Sequence, residues 1–346
     1  MTVQLDSSIG MKKETTYGTA VTVDQFCEFT SESLDRKAEY LQGSGLRVGS
    51  RVARSGRRLL GKDGGEGNIT LEAPTKGLGI FLEAAFGSVT STGVPSATGA
   101  YQHVFTPATT DPIPSYTIQK GIPPIGGGTT TAYTFLGAVC RSLEINAKNA
   151  EIVEISTDWL AREVKTNVAY ATPSYPASME LFTFTHGAIY LGGTLTKPTT
   201  TALASTTASA AANVIDANVK WDNGMDEGAR TIGGAGLVVR KPILGMAGVS
   251  GSLTVEYDST TLRDAYIAQT DLALVLTFTH TTTIGTGTPV ACALQVVVPV
   301  IRLEGEIPKA GKGEAITQSI DFTGLDGLAA STAPIYVVYR STDSTP

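Results

Sequence analysis

Three histidines, three cysteines and a few closely spaced carboxylates are the groups in this sequence that could do chemistry. His103, His186 and His280 could serve as general bases or metal ligands, but each lies in a strand-like Phe/Thr context with no other ligand type two to five residues away. That spacing reads as structural histidine. No HExxH, GxSxG or Walker-type string is present. Gly126, Gly127 and Gly128 are followed by threonines and no lysine, which makes a flexible turn and not a phosphate cradle. Glu151 with Glu154, and Asp222 with Asp226, have the spacing of acid–base pairs. On strands and turns such pairs read as solvated faces. Asp222-Asn-Gly-Met-Asp-Glu-Gly has the look of a calcium loop but lacks the spaced oxygen ligands and the closing glutamate. Cys27, Cys140 and Cys292 are odd in number, far apart and without a CxxC, which fits small buried residues in a reducing compartment. These residues predict no catalytic group, no metal and no cofactor.

What remains is a cluster of charge. Between Gly43 and Gly67 stand Arg47, Arg51, Arg54, Arg57, Arg58 and Lys62, against Asp63 and Glu66 alone. A loop of about 25 residues exceeds the usual connection and signals function or disorder. Leu46, Val48, Val52, Leu59 and Leu60 are scattered through it and allow a two-stranded excursion. The aromatic interleaving of a single-strand stacking surface is absent, so docking on an acidic neighbour is the favoured reading over nucleic acid. The whole chain of 346 residues has room for two domains, is 42% hydrophobic and only 17% charged, and carries a net charge of −6. So few charges suit a surface hidden in an assembly, and the acidic balance disfavours a free duplex-binding protein. The N-terminus shows no apolar signal region, and the apolar run from Ala291 to Ile301 falls short of the roughly 20 residues a membrane span needs. The expectation is a protein made and kept in the cytoplasm, or assembled there.

The elements that must carry these groups read as mainly β. After the basic loop, Asn68 to Glu72 alternates like a half-buried strand, and Leu78, Phe81, Leu82, Ala85 and Phe86 form one apolar face of a short helix. The order returns: Gly233 opens a second Gly-rich loop, shorter and with only Arg240 and Lys241, Gly251-Ser-Leu-Thr-Val-Glu matches Gly67-Asn-Ile-Thr-Leu-Glu, and Thr260 to Gln269 forms a second helix. Hairpins follow each helix, Arg141 to Leu160 and Val300 to Phe322. Loop, strand, helix and hairpin twice over read as an internal duplication. The first unit is residues 1–175 and the second 176–346. Residues 1 to 23 read as an arm in which Thr19 to Val23 pairs as an edge strand, and Cys27 to Leu34 as one alternating strand. Gly192 to Ala212, rich in Thr, Ala and Ser, reads as an exposed flexible loop. Pro334 to Arg340 is a last strand that pairs back on the first unit or on another subunit.

The opening Ile9-Gly-Met-Lys-Lys-Glu-Thr-Thr-Tyr-Gly-Thr-Ala-Val-Thr, followed by Phe29-Thr-Ser-Glu-Ser-Leu, resembles the start of the tail tube (major tail) proteins of long non-contractile-tailed bacteriophages, the siphophages. The resemblance implies two tandem β-sandwich or partial-barrel units, each flanked by one short helix. It implies a structural virion protein and no enzyme, with subunits joined into rings around a lumen and rings stacked into a tube that conducts DNA to the host. If one chain carries two units, three chains make a ring of pseudo-sixfold symmetry, with six chains as the alternative. The resemblance assigns Arg47, Arg51, Arg54, Arg57, Arg58 and Lys62 to inter-ring stacking. The hairpins become candidates for the lumen wall, with Glu144, Glu151, Glu154, Glu304, Glu306 and Glu314 facing inward. Implied partners are copies of the chain itself, the tape measure protein, tail terminator and distal tail proteins, and genomic DNA passing without sequence recognition. No membrane is implied. Other classes left open are an immunoglobulin-like adhesin and a β-sandwich carbohydrate hydrolase, which needs a pocket with paired carboxylates.

Overall fold

Runs of β-branched and aromatic residues, broken by Gly and Pro turns, dictate strands through most of the chain. The computed structural model describes residues 6–109, 113–211, 213–257, 260–305, 316–328 and 332–346. The first half holds β1 (Ser8–Lys13), β2 (Gln25–Cys27), β3 (Ser31–Glu32), β4 (Asp35–Arg36), β5 (Glu39–Gln42), β6 (Arg58–Lys62), β7 (Gly65–Glu72), α1 (Gly79–Phe86), β8 (Gly87–Gly93), β9 (Ala97–Thr98), β10 (Tyr101–Pro107), β11 (Tyr116–Ile122), β12 (Thr131–Ala147), β13 (Glu154–Ala161) and β14 (Glu163–Lys165). The second holds β15 (Gly187–Leu191), β16 (Leu195–Thr196), β17 (Ser205–Thr206), β18 (Val214–Asp222), β19 (Gly248–Glu256), α2 (Thr261–Ala268), β20 (Leu272–Ile284), β21 (Thr286–Gly287), β22 (Val290–Gly305), β23 (Thr317–Gly324) and β24 (Tyr336–Ser341).

A front sheet runs β3/β4, β7, β13, β12, β18, β19, β23, β22, antiparallel throughout. It takes only the C-terminal parts of β12 and β22. Their N-terminal parts belong to two further layers, β2–β1–β11–β12–β14 and β8–β10–β24–β22–β20–β15. In β12 the change of layer falls at a register shift between Cys140 and Ser142, where the extra Arg141 bends the strand. Both halves use one wiring: β7–β13–β12 and β1–β11–β12 in the first, β19–β23–β22 and β15–β20–β22 in the second. The halves are stitched by β12–β18 and by β10–β24, so the last strand does pair back on the first half.

The core fills the space between front sheet and back layers. α1 is buried on every residue but Glu83, deeper than the single apolar face its sequence periodicity predicts. Phe81 packs edge-on against Trp159, and Phe86 stacks on Trp221 at 5.5 Å between ring centroids. Gly87 ends α1 at φ 76°, the left-handed conformation only glycine adopts freely. The buried carbonyl of Ala85 in the last turn, which has no partner within the helix, accepts from Trp221 Nε1 and from Asn223 Nδ2, so the second half caps the first half's helix. α2 has no buried residue; Leu262, Ala265 and Tyr266 lean on the core from outside.

Several expectations are corrected. The arm contains a core strand: Ile9 and Met11 of β1 are buried between β2 and β11. Thr19 to Val23 forms no strand, and the run from Cys27 to Leu34 is broken into β2 and β3. Polar Ser, Glu and Thr residues there have too little apolar surface to hold one continuous strand. From Met179 to Leu191 only β15 forms a strand beyond isolated bridges. The described part of the loop, 192–211, is fastened: Gln102 Nε2 donates to the carbonyls of Thr199 and Ala202, and the Gln295 side chain bonds both the N–H and the C=O of buried Ala204. The second Gly-rich connection is nearly as long as the first, since it starts at Asn223, where β18 ends, and runs to β19.

Candidate functional site

Alternation along the front sheet puts apolar residues into the core and leaves a polar face outside. In β13 Ile155, Thr157 and Trp159 point in, while Glu154, Ser156, Asp158 and Leu160 point out. In β18 Ala217, Val219 and Trp221 point in, and Asp216, Asn218, Lys220 and Asp222 point out. The outward face also carries Glu66 and Glu72 from β7, Glu144 from β12, Glu256 from β19, Asp321 from β23 and Glu304 from β22. Against them stand Lys37, which pairs with Glu66 at 3.4 Å, Lys220, Arg302 and the bulge residue Arg141. The face is therefore acidic and almost free of apolar side chains.

Three of the carboxylates expected at a lumen wall lie on this face: Glu144, Glu154 and Glu304. Glu144 is held by the Asn218 amide across the β12–β18 pairing, and Asn218 also reaches Asn146. Glu304 accepts from Thr323 Oγ1 at 2.8 Å. Arg141 donates twice to Asp158 Oδ2, at 2.8 and 2.6 Å. Glu154 stands directly opposite Glu72 with no cation between them in the register, a like-charge cross-strand pair that costs stability. Glu151 lies elsewhere, in the turn before β13, 3.9 Å from Lys148. Glu306 and Glu314 fall outside the described residues.

The basic stretch is a projecting hairpin and not a loop of 25 residues. β5 pairs with β6, a 3-10 turn covers Ser55–Arg57, and β7 begins at Gly65. The hairpin's foot is clamped by Arg36, whose Nε and Nη2 grip both oxygens of Asp63 at 2.8 and 2.6 Å. That fork holds the Asp63 carboxyl below its ordinary range. The basic residues divide. Arg47, Arg51 and Arg54 sit in the tip, with Arg57 on the 3-10 turn. Arg58 lies over the Tyr40 ring at 4.8 Å, and Lys62 pairs with Glu39 at 3.1 Å. Arg57 crosses Gly45, where any Cβ would meet its guanidinium. Leu46, Val48 and Val52 are 101%, 102% and 83% exposed, so the hairpin offers apolar as well as cationic surface. The second-half connection behaves differently. It folds down on the body: Val238 is buried, its carbonyl accepts from Arg162 Nε, Gly236 C=O accepts from the Asp63 N–H, and Lys241 donates to Ile113 C=O.

The other candidate groups are engaged in holding the fold. Asp222 accepts from the Gly224 N–H. Asp226 accepts from the N–H groups of Gly228 and Ile243 and pairs with Arg240, whose contact pulls its pKa down. The calcium-like spacing thus closes on its own backbone. His103 is buried between Ser91 Oγ and the Asp343 carbonyl, at 2.8 and 2.9 Å. His186 and His280, distant in sequence, meet with ring centroids 4.4 Å apart, a contact that local spacing could not reveal. Each accepts a backbone N–H at Nδ1, from Thr183 and Thr282 respectively. Among the described residues no three His, Cys, Asp or Glu side chains cluster as metal ligands, and no helix is long and apolar enough to cross a membrane. Burial drives the Cys27 thiol up to about 12, so it is held as an unreactive thiol. Comparison with curated proteins finds no match. A family model described as phage tail tube protein matches residues 4–324.

Proposed function

The chain belongs to the phage tail tube protein family, and on that premise we propose that it is the repeating subunit of the tube wall, assembled in the host cytoplasm. Copies join side by side into a ring, rings stack, and the lumen conducts the genome to the host cell without reading its sequence. The observation that carries this reading is the carboxylate-rich, uncovered face of the front sheet. A surface that touches DNA without holding it must not neutralise phosphates, because each phosphate contact adds counterion-driven affinity. Carboxylates on the wall keep the duplex about a Debye length away, roughly 10 Å at 0.1 M salt. We assign Glu144, Glu154 and Glu304 to that wall.

Residues 1–175 and 176–346 act as two tandem units. The shared wiring of β7–β13–β12 and β19–β23–β22 supports this, as does the helix following β7 and again β19. Three chains then supply the six units of a ring. Three front sheets closed edge to edge, with strands about 4.8 Å apart and tilted by about 40°, give a barrel roughly 48 Å across between backbones. That bore passes a DNA duplex. The hairpin with Arg47, Arg51, Arg54, Arg57, Arg58 and Lys62 supplies the contact between rings, and among the described residues only the first unit of each chain carries one. Tape measure protein inside the tube, and tail terminator and distal tail proteins at its ends, complete the partners.

Electron microscopy of the purified chain at rising concentration tests the reading. Hollow rings or tubes of uniform bore with threefold rotational symmetry are expected. Sixfold symmetry would reassign the ring to six chains, and a chain that stays monomeric at every concentration would overturn the proposal.

A further inference from the structure

The front sheet has two open edges. Among the described residues no strand pairs with β3 and β4 on the side away from β7, and none pairs with β22 beyond Ile301 on the side away from β23. Both edges are stoppered by side chains. Leu34 donates its N–H to Glu32 at 2.9 Å, and its carbonyl accepts from Lys120 Nζ at 2.9 Å. The carbonyl of Leu303 accepts from Gln269 Nε2 at 3.2 Å. Stoppering of this kind keeps an edge from pairing indiscriminately. A groove of about 630 Å³ runs beside the β3 edge, lined by Phe29, Thr30, Ser31, Glu32 and Lys120 among others.

The chain contains a template for what fills these edges. At its internal seam β12 lies against β18, with Ser142 opposite Asp222, Leu143 opposite Trp221 and Ile145 opposite Val219. Asn223 N–H donates to the Arg141 carbonyl, which fixes the phase: odd-numbered residues of β18 turn their backbone toward β12. Gly67 to Glu72 corresponds to Gly251 to Glu256, so their partners correspond too. Asp35, opposite Glu66, is the counterpart of Lys220, opposite Ser250. By the same register Leu34 is the counterpart of Val219, and both are buried. Lys37, whose N–H bonds the Gly64 carbonyl, is the counterpart of Asp222, opposite Gly248. On the other edge Asp158 corresponds to Asp321 and Trp159 to Phe322. Glu304, opposite Asp321, is then the counterpart of Ser142, opposite Asp158.

We infer that the end of β22 of one copy continues the front sheet against Arg36 and Lys37 of a second copy in the β12–β18 register, with Glu304 opposite Lys37 and Gly305 opposite Arg36. The inference rests on the tube reading and adds which edges meet and in what register. Two observations favour a second copy as the occupant: the internal seam is its structural twin, and Lys37 and Glu304, which the register sets opposite one another, carry opposite charges. By the phase of the seam, Lys37 and Glu304 form a non-hydrogen-bonded pair, with Cα atoms about 4.5 Å apart, within reach of a disulfide.

The test is a K37C/E304C variant of the full chain, assembled and then oxidised, with each single variant as control for the native cysteines. Cross-linked species that close at the ring's own copy number, absent from the single variants, are expected. In parallel K37E and E304K should each raise the concentration needed for rings about tenfold, and the double swap should restore it. Rings that form normally yet neither cross-link nor respond to the swaps would overturn the seam and leave the tube reading intact. A wild-type chain that never assembles, judged by sedimentation, would overturn both.

Discussion

Replacing Leu46, Val48 and Val52 by serine separates the hairpin's contribution to assembly from its contribution to the fold. In the isolated chain these side chains are 101%, 102% and 83% exposed, so they bury nothing that serine would lose. Exposed substitutions of this kind change stability by less than about 0.5 kcal/mol, which is about 1 °C or less for a chain of this size. If the hairpin seats in the next ring, the same side chains become buried, each contributing roughly 1.5–2 kcal/mol. The triple variant then loses about 5 kcal/mol per hairpin, a drop of more than a thousandfold in the stacking constant. Calorimetry reads the first quantity; sedimentation velocity and electron microscopy of tube length read the second. The expected outcome is an unchanged melting temperature with short stacks or single rings. Tubes of wild-type length would remove the hairpin from the stacking contact. A melting temperature lower by several degrees would show that these side chains pack within their own chain.

Three further outcomes follow from the described contacts. Lys120→Met strands the Glu32 carboxylate and the Leu34 carbonyl, so about 2 kcal/mol of stability, or about 3 °C, should be lost, while Glu32→Met/Lys120→Met recovers much of it; a double variant as unstable as the sum of the singles would refute the coupling. Glu154→Lys turns the like-charge pair with Glu72 into an opposite-charge one and should stabilise the fold by up to about 1 kcal/mol in urea unfolding, an effect that high salt weakens. His103, through burial, and His186, through burial and the neighbouring His280, are held below their ordinary pKa. Below about pH 6.5 the unfolded chain binds more protons than the folded one, so stability is complete above that value and declines as pH falls toward the folded pKa values. Melting temperatures at pH 7.5 and 5.0 should show the decline, and His103→Gln should flatten part of it.

The strands of the front sheet were legible because their patterns are local. Gly67 to Glu72 and Gly251 to Glu256 alternate cleanly, and Asp158-Trp159 and Asp321-Phe322 sit at matching places in two hairpins. The acidic face follows from the same alternation, which is how Glu144, Glu154 and Glu304 could be named in advance. The sequence pattern starts a hairpin at Arg141, whereas β12 runs unbroken from Thr131 to Ala147; the bulge at Arg141 is a change of layer and not a chain reversal. β1 was hidden by Gly10, whose missing side chain makes room for the Phe26 ring but interrupts the pattern of Ile9 and Met11. Nothing local to Thr199 or Ala204 announces Gln102 and Gln295, because a polar loop becomes ordered only through partners distant in sequence. The basic hairpin was located by composition, but its exposure was not, as Leu46, Val48 and Val52 suit a core equally well.

β12 and β22 each serve two layers with one uninterrupted backbone, 17 and 16 residues long. In a wall built this way a sideways load on the front sheet travels along covalent bonds into the layer behind. Layers joined only by side-chain packing can slide; layers that share a strand must shear its hydrogen bonds or bend it. In the first half the Arg141 bulge marks where the strand passes from one layer to the other. On the tube reading, stiffness across the wall and flexibility along its axis can then be set by different residues, so bending need not strain the bore.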